Sequence, residues 1–257
     1  MKEKKSVSGR DHHKEIGTGY IDSLSRDWPE PREQLHHGGW QATYDLVDVL
    51  RLDRAECVLD LCCGEGGTAN WLASEHGVRV FGVDIVLSAV AYGQALAPDH
   101  SDFVAANVFN LPFAARTFDA IFGQDPDGLA HYQRVDIFRE CWRVLRPGGV
   151  IGFHHWTIFD DVPDAIAGRL AATNAELGYP SMRRLRVGDY AADLRAAGFE
   201  QIVIDDMSAV YRRHLEALRA NVHRRDPDGL DAWTVTALSI FEDGGRLGAR
   251  FIARKPA

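Results

Sequence analysis

The run Val58-Leu59-Asp60-Leu61-Cys62-Cys63-Gly64-Glu65-Gly66-Gly67, with Asp84 eighteen residues after Gly66, constrains this chain more than any other feature. Aliphatic and β-branched residues lead into an acid, a glycine-rich turn and a helical stretch from Thr68 to Glu75. That order describes a strand whose carboxyl end turns tightly into a helix, with glycines where a ligand must approach the backbone. A second strand, Val78 to Val83, ends at Asp84, an acid placed for ribose hydroxyls as in nucleoside-binding α/β folds. The pattern predicts an adenosine-containing cofactor. A dinucleotide fingerprint would need a further glycine after Gly66. Asn70 and Trp71 stand in the helix instead, and an indole there does not suit close helix–strand packing around a diphosphate. Glycine spacing therefore argues against a nicotinamide oxidoreductase.

The chain has 257 residues, enough for one α/β domain with additions and a sizeable core. With 29 basic against 37 acidic residues its net charge is −8, whereas a reader of phosphate backbones carries a basic surplus. Nucleic acid is thus disfavoured, as is an amino-methylating N/D-P-P-Y/F motif, since Gly123-Gln124-Asp125-Pro126 stands at the fourth strand. The basic groups Arg183, Arg184 and Arg186, Arg212 and Arg213, and Arg224 and Arg225 read first as solvated faces and loops. Pairing of one arginine with an anionic group on a small substrate stays open. Cys57, Cys62, Cys63 and Cys141 have neither disulfide-framework nor zinc-site spacing, so reduced thiols and a cytoplasmic protein are expected. No apolar run reaches the roughly 20 residues of a membrane span. Residues 1–14 are polar, without a signal-peptide core, and are expected to be a disordered tail. Adjacent histidines at His12-His13, His36-His37 and His154-His155 lack the i, i+4 spacing that places two imidazoles on one helix face, so no metal is expected.

Between residues 15 and 52 the aromatics Tyr20, Trp28, Trp40 and Tyr44 surround His36-His37-Gly38-Gly39. Trp40, Tyr44, Val47 and Leu50 fall at helical spacing, and the segment reads as an N-terminal lid leading into the first strand. Strands and helices then alternate: strand 57–61, helix 67–76, strand 78–83, helix 86–97, strands 102–105 and 118–123, helix 134–145 and strand 150–155. The helix at 134–145 shows Val135, Phe138, Trp142 and Leu145 on one face before Pro147-Gly148-Gly149 stops it. Such alternation predicts a parallel sheet with helices on both faces, Rossmann-like in layout. A helix from Asp189 to Phe199, a strand from Gln201 to Asp205 and a helix from Ala209 to His223 follow. Tyr211, Leu215, Leu218 and Val222 share one face of that last helix. A second helix between Leu230 and Phe241 precedes a final strand at 247–254. Asp125-Pro126-Asp127-Gly128 and Asp226-Pro227-Asp228-Gly229 read as turns.

The glycine turn, Asp84, Phe118-Asp119-Ala120-Ile121 and Cys141-Trp142-Arg143-Val144-Leu145-Arg146-Pro147-Gly148-Gly149 occur in order over residues 57–155. Together they resemble the class I S-adenosylmethionine-dependent methyltransferases. The layout of the last third is similar to the small-molecule branch that includes sarcosine/dimethylglycine and tocopherol methyltransferases. The resemblance implies a seven-stranded, mostly parallel sheet with an antiparallel last strand. It also implies a cofactor-binding domain at 53–257 with substrate-side insertions at about 156–188 and 208–243. The family form has glycine where Cys62 stands, and often an acid where Asn107 stands.

Ligands of such sheets bind outside the carboxyl ends of the strands. On the family pattern Gly64 and Gly66 face the methionine part of S-adenosylmethionine with Asp60 holding its ammonium, and Cys62 belongs to the same cofactor turn. Asp84 takes the ribose hydroxyls, Ile85 faces adenine, and Asn107, followed by Val108, accepts from the adenine amino group through its carbonyl oxygen. Gln124 ends the fourth strand near the methionine backbone. His131, His154 and His155 follow strand ends four and five and are the candidate general bases, although strand alternation sends His154 and His155 to opposite faces. Tyr20, Trp28, Trp40 and Trp156 are candidate walls of a substrate pocket, with Phe159 and Tyr179 nearby. The expected activity is N-, C- or O-methylation of a small molecule; the alternative is a protein that binds the cofactor without transfer. Oligomeric state is not legible.

Overall fold

The computed structural model describes residues 34–130, 133–176, 186–225 and 232–257. The 1–14 tail, Tyr20, Trp28, His131 and Tyr179 lie outside the described residues, as do Arg183 and Arg184. In chain order the elements are α1 (Gly39–Leu50), β1 (Cys57–Leu61), α2 (Gly67–His76), β2 (Arg79–Asp84), α3 (Leu87–Ala95), β3 (Ser101–Ala105), β4 (Phe118–Gln124), α4 (Arg134–Val144) and β5 (Leu145–Ile158). They continue with α5 (Asp164–Glu176), α6 (Val187–Ala196), β6 (Glu200–Asp206), α7 (Ser208–Arg225), α8 (Ala232–Glu242) and β7 (Leu247–Arg254). The strands form one sheet in the order β3-β2-β1-β4-β5-β7-β6. Neighbours from β3 to β5 run parallel, while β7 is antiparallel to both β5 and β6. The order reverses between β1 and β4, which puts the ligand-binding crevice at their carboxyl ends.

Local chemistry explains the boundaries. Strand β1 (CVLDL) is buried along almost all its length, as a central parallel strand covered on both faces must be. Helix α2 stops at Gly77, whose φ of 66° suits glycine and whose N–H bonds the carbonyl of Ala73. Helix α1 lies flush on β5: a Cβ at Gly152 would sit 2.5 Å from Leu50 Cδ2. Its buried face is Ala42, Thr43, Leu46, Val47 and Leu50. Trp40 and Tyr44, placed on that face by the sequence pattern, lie off it and stack on each other at 5.7 Å, with Trp71 beside both. The stripe of α4 is rotated in the same way. Arg134, Ile137, Phe138, Cys141 and Val144 are buried, whereas Trp142 keeps 37% of its surface. The Lys255 ammonium, 3.8 Å from the ring centre, covers Trp142 instead.

One packing constraint fixes the glycine turn from beneath. The ring of Phe103 on β3 fills the space under Gly66, Gly82 and Gly93, and a Cβ at Gly66 would lie 2.2 Å from it. Gly66 also has a φ of 74°. Helix α8 packs on both α5 and α7, and α7 and α8 pack on β7, forming a layer beside the crevice. The four apolar positions of α7 expected to share a face, Tyr211, Leu215, Leu218 and Val222, are all buried. No described helix is long and apolar enough to cross a membrane. Gly66→Ala is expected to cost about 3 kcal/mol, from the left-handed backbone and the collision with Phe103 together. A urea denaturation midpoint equal to that of the parent chain would contradict this packing.

Candidate functional site

Asp60 and Asp84 end neighbouring strands, and Asp60 pairs in register with Gly82, two residues before Asp84. Asp60 is only 4% exposed. Burial pushes its carboxyl well above the usual range, and the nearby Asp84 charge pushes it further the same way. The carboxylate of Asp84 is held by two backbone donors, Gly64 N–H to Oδ2 at 3.0 Å and Val86 N–H to Oδ1 at 2.9 Å. A Cβ on Gly64, whose φ is 54°, would meet nothing within 4 Å. The two glycines of the turn thus differ: Gly66 is required by Phe103 below, while Gly64 borders open space above the strand ends.

Cys62 adopts a φ of 61°, the left-handed region that favours glycine. This is why glycine is the usual residue there, and cysteine holds the same turn with some backbone strain. Burial raises its thiol well above the ordinary value, with Asp84 second, so it stays protonated rather than nucleophilic. A Cβ on Gly128 would lie 3.3 Å from Val108 Cγ2 and 3.4 Å from Cys62 Sγ, so these three residues form one wall. Ile85 is half-buried just past β2. Asn107 Oδ1 accepts the Phe109 N–H at 3.0 Å, which fixes the turn after β3.

A polar network closes the crevice beyond β4. Thr68 Oγ1 donates to Gln124 Oε1 at 2.7 Å and accepts from Gln34 Nε2 at 3.1 Å. Gln124 Nε2 donates to Thr43 Oγ1 at 2.8 Å, and Thr43 donates to Gln34 Oε1 at 2.7 Å. His36 Nε2 lies 2.8 Å from Gln34 Oε1 and 3.0 Å from Gln124 Nε2. Both ends of the Gln124 amide are thus engaged, Oε1 by Thr68 and Nε2 by Thr43 and His36, rather than standing clear for a ligand. Burial, with His154 second, lowers the His36 imidazole to about 3, so it is neutral.

Next to this network Asp125, with a φ of 48°, accepts from the His37 backbone N–H at 2.7 Å. The same carboxylate oxygen lies 2.7 Å from His37 Nδ1. The Tyr211 hydroxyl donates to the other oxygen, and His154 Nδ1 stands 3.2 Å from that hydroxyl. Burial alone would raise Asp125, but the His37 charge and hydrogen bonds from His154 and His37 hold it well below the usual range. The His37 ring stacks on Tyr211 at 4.6 Å and meets His214 at 5.0 Å. No group of three metal-binding side chains suited to an ion occurs among the described residues.

The two β5 histidines part as strand alternation requires. His154 joins the Asp125 network, while His155 points away to Tyr190, 3.3 Å from its hydroxyl. Both are fully buried, and burial lowers His155 to about 3, with Arg134 and His154 adding to it against Asp125. Neither is exposed to a substrate, which weighs against a base role for either. Trp156 is 6% exposed, stacked on His155 at 4.9 Å and edge-on to Trp233 at 5.4 Å. The ring contacts of Trp40 are with Tyr44 and Trp71, so it joins a cluster other than the one around Trp156. Asp125, His37, Tyr211 and Trp233 escaped the sequence reading. Asp125 read as part of a turn and Tyr211 as a core position, and only the fold brings residues 37, 125 and 211 together.

Asp60 and Asp125 are expected to respond oppositely to neutralisation. Asp60→Asn stabilises the cofactor-free protein at neutral and alkaline pH, because a raised carboxyl is a penalty that is full above its folded-state pKa. The gain fades as pH falls and is gone below the ordinary value of 3.8. Asp125→Asn destabilises by about 3 kcal/mol at neutral pH. The contribution of Asp125 is present above 3.8 and is lost as pH falls toward its depressed value. Thermal unfolding across pH 3–8 measures both, and effects of the same sign at neutral pH would contradict the assignment.

A family profile described as "Methyltransferase domain" matches residues 58–149. The chain is 31% identical over 220 residues to the 27-O-demethylrifamycin SV methyltransferase of Amycolatopsis mediterranei, covering 77% of this chain and 78% of that one. It is 30% identical over 183 residues to phosphoethanolamine N-methyltransferase 1 of Triticum aestivum. That match covers 70% of this chain but spans only 35% of the wheat protein. Among solved structures, Haemonchus contortus phosphoethanolamine N-methyltransferase 2, in complex with phosphomonomethylethanolamine and S-adenosylhomocysteine, superposes with a TM-score of 0.80 at 18% identity. The superposition covers 98% of this chain and 61% of that one. A buried carboxyl with no cation among its described neighbours, an anchored second carboxylate and an open glycine edge suit the ammonium, ribose and methionine backbone of one molecule. This chain belongs to the class I S-adenosylmethionine-dependent methyltransferases of the small-molecule type, with S-adenosylmethionine as its cofactor.

Proposed function

We propose that the chain methylates a small-molecule acceptor held between the glycine turn and the layer formed by α5, α7 and α8. The observation that carries this reading is Asp60, a buried carboxyl beside a second acid, raised by both and offset by no cation among its described neighbours. In this reading Asp60 pairs with the α-ammonium, and Asp84, already anchored by Gly64 and Val86, accepts from the ribose hydroxyls. Gly64 lets the methionine part pass, while Cys62 and Val108 with Ile85 border adenine. Asn107, whose oxygen already accepts from Phe109, keeps a second lone pair and its amide nitrogen for the base. Gln124 acts through the segment it anchors, and Gly66 supports the turn from beneath.

Bound there, the cofactor supplies a methyl group on a sulfonium, whose in-line displacement asks the protein mainly for placement. The His37–Asp125–Tyr211 contacts and the Gln34–Gln124 network fix residues 34–43 against the end of β4, supporting the reading of residues 15–52 as a lid. With His154 and His155 buried, positioning rather than a base drawn from these two histidines is the better account of the step. The free thiols of Cys57, Cys62, Cys63 and Cys141 support a reducing, cytoplasmic setting. The net charge of −8 favours a small molecule over nucleic acid.

Titration calorimetry with S-adenosylmethionine and with NAD tests the cofactor site. Binding of the first and not the second is expected, with at least tenfold loss in Asp60→Asn and in Asp84→Asn. S-adenosylhomocysteine formation with a panel of small acceptors then separates transfer from binding alone. Cofactor binding without turnover on any acceptor would favour the binding-only alternative, and NAD binding in its place would overturn the reading.

A further inference from the structure

Four imidazoles meet where residues 34–43 cross the end of the sheet. His36 and His37 lie on that segment, His154 on β5 and His214 on α7. None keeps more than 6% of its surface exposed. The ring centres of His36 and His154 are 5.2 Å apart, and those of His37 and His214 are 5.0 Å apart. Asp125 is the carboxylate that meets this group, and it already accepts from His37 and Tyr211.

Helix α1 starts inside the cluster. Gly38 is its N-cap, with a φ of 90°, and lies so close to α7 that a Cβ would sit 2.6 Å from Val210 Cγ1. No capping side chain bonds that end from within the helix, and its first turn holds no acid. The positive pole of α1 is therefore uncompensated by its own residues. An acceptor comes from α7 instead: His214 Nδ1 takes the Gly38 N–H at 3.3 Å. That role requires a lone pair on Nδ1 and so belongs to the neutral ring. A proton there would remove the acceptor and set a cation against the helix pole. His36 Nε2 lies among the side chains of Gln34, Thr43 and Gln124, none of which carries a charge.

We propose that residues 34–43 form a proton-sensitive latch, seated on β4 and α7 while His36 and His214 are neutral and released when they take up protons. Burial lowers His36 to about 3, with His154 second, and lowers His214 to about 2, with His37 second, both against Asp125. Once in water, each ring returns to its ordinary 6.5, so release takes up protons below that value. The seated form is thus favoured fully above 6.5 and progressively less as pH falls toward the lowered values. Around the cluster, Tyr211 is bonded to Asp125, and Arg212 pairs with Glu216. Arg213 of α7 and Asp45 and Asp48 of α1 are exposed, and His155 faces Tyr190 on the other side of β5. Asp127, which interacts with His37, titrates in the same range, because burial, with Asp125 second, pushes its carboxyl up to about 6. Release would uncover the crevice beyond β4. The latch is a property of the protein without cofactor, so it stands or falls apart from the methyl-transfer reading.

Hydrogen exchange of the full chain at pH 7 and pH 5 tests this, with rates expressed as protection factors so that intrinsic exchange cancels. Protection of residues 34–43 is expected to fall by about 25-fold for each of the two imidazoles, while α4 keeps its protection. His214→Asn, whose Oδ1 can still take the Gly38 N–H, and His36→Gln, whose amide can still bond within the network, are each expected to remove about 25-fold of that dependence. Reading the change between parent and variant leaves out the titration of Asp127, and protection of α4 at pH 7 reports that each variant folds. Protection of residues 34–43 that does not change with pH, an equal loss in α4, or the parent's pH dependence in both variants would overturn the inference.

Discussion

The meeting of two carboxyls at the ends of parallel strands β1 and β2 is the constraint on which the rest of the site depends. Parallel pairing in register carries Asp60 and Asp84 to the same edge of the sheet, one buried and one tethered by the turn. Bringing a second carboxyl into a buried setting costs free energy, which packing elsewhere must offset. Beneath the turn, Phe103 fills the space that Gly66, Gly82 and Gly93 leave for it. The turn is therefore packed where it faces the core and open at Gly64, where the proposed cofactor would pass. On the proposed binding mode a cationic ligand would relieve the repulsion that folding creates, so cofactor affinity and the stability of the empty protein would oppose one another at this point.

The far wall of the crevice follows a different logic. There the polar groups are satisfied by one another: Gln34, Thr43, Thr68 and Gln124 form a closed set, and Asp125 takes donors from His37 and Tyr211. Such a network specifies one arrangement of residues 34–43 over the sheet end, because a displaced segment would strand several buried polar groups at once. The elements it joins are far apart in sequence, from Gln34 to Tyr211, so the wall forms only when the whole sheet has formed.

How much of this was legible in the sequence depended on whether a feature was local. The alternation of β1 to β5 with helices, the end of α2 at His76 and the acids at the ends of β1 and β2 are local patterns, and the structure has them within a few residues of where the pattern put them, the largest difference being β5, which runs 145–158 rather than 150–155. The division of His154 and His155 between faces also followed from strand geometry alone. Helical faces were less secure where an aromatic residue lay beside the true stripe. Trp142 was drawn into the apolar face of α4 although Arg134 occupies it, neutralised by Asp193. Trp40 was drawn into that of α1 in the same way, although it packs with Trp71. Asp125 read as a turn residue because Asp-Pro-Asp-Gly has turn composition, and no local signal tells a turn that merely reverses the chain from one whose acid gathers His37, Tyr211 and His154. The partners of a buried charge come from distant segments, and only topology reveals them.

The central claim is that Asp60 is a buried, electrostatically opposed carboxyl whose missing cation is the ammonium of the cofactor. Carbon-13 NMR of aspartate carboxyls, with Asp60 assigned by comparison with Asp60→Asn, reports its ionisation directly during a pH titration. Without ligand, its titration midpoint should lie well above the ordinary value of 3.8. Saturating S-adenosylhomocysteine, which keeps the ammonium and lacks the sulfonium, should shift that midpoint down. An Asp60 carboxyl that titrates normally in the empty protein, or one whose midpoint does not move when S-adenosylhomocysteine binds, would contradict the account.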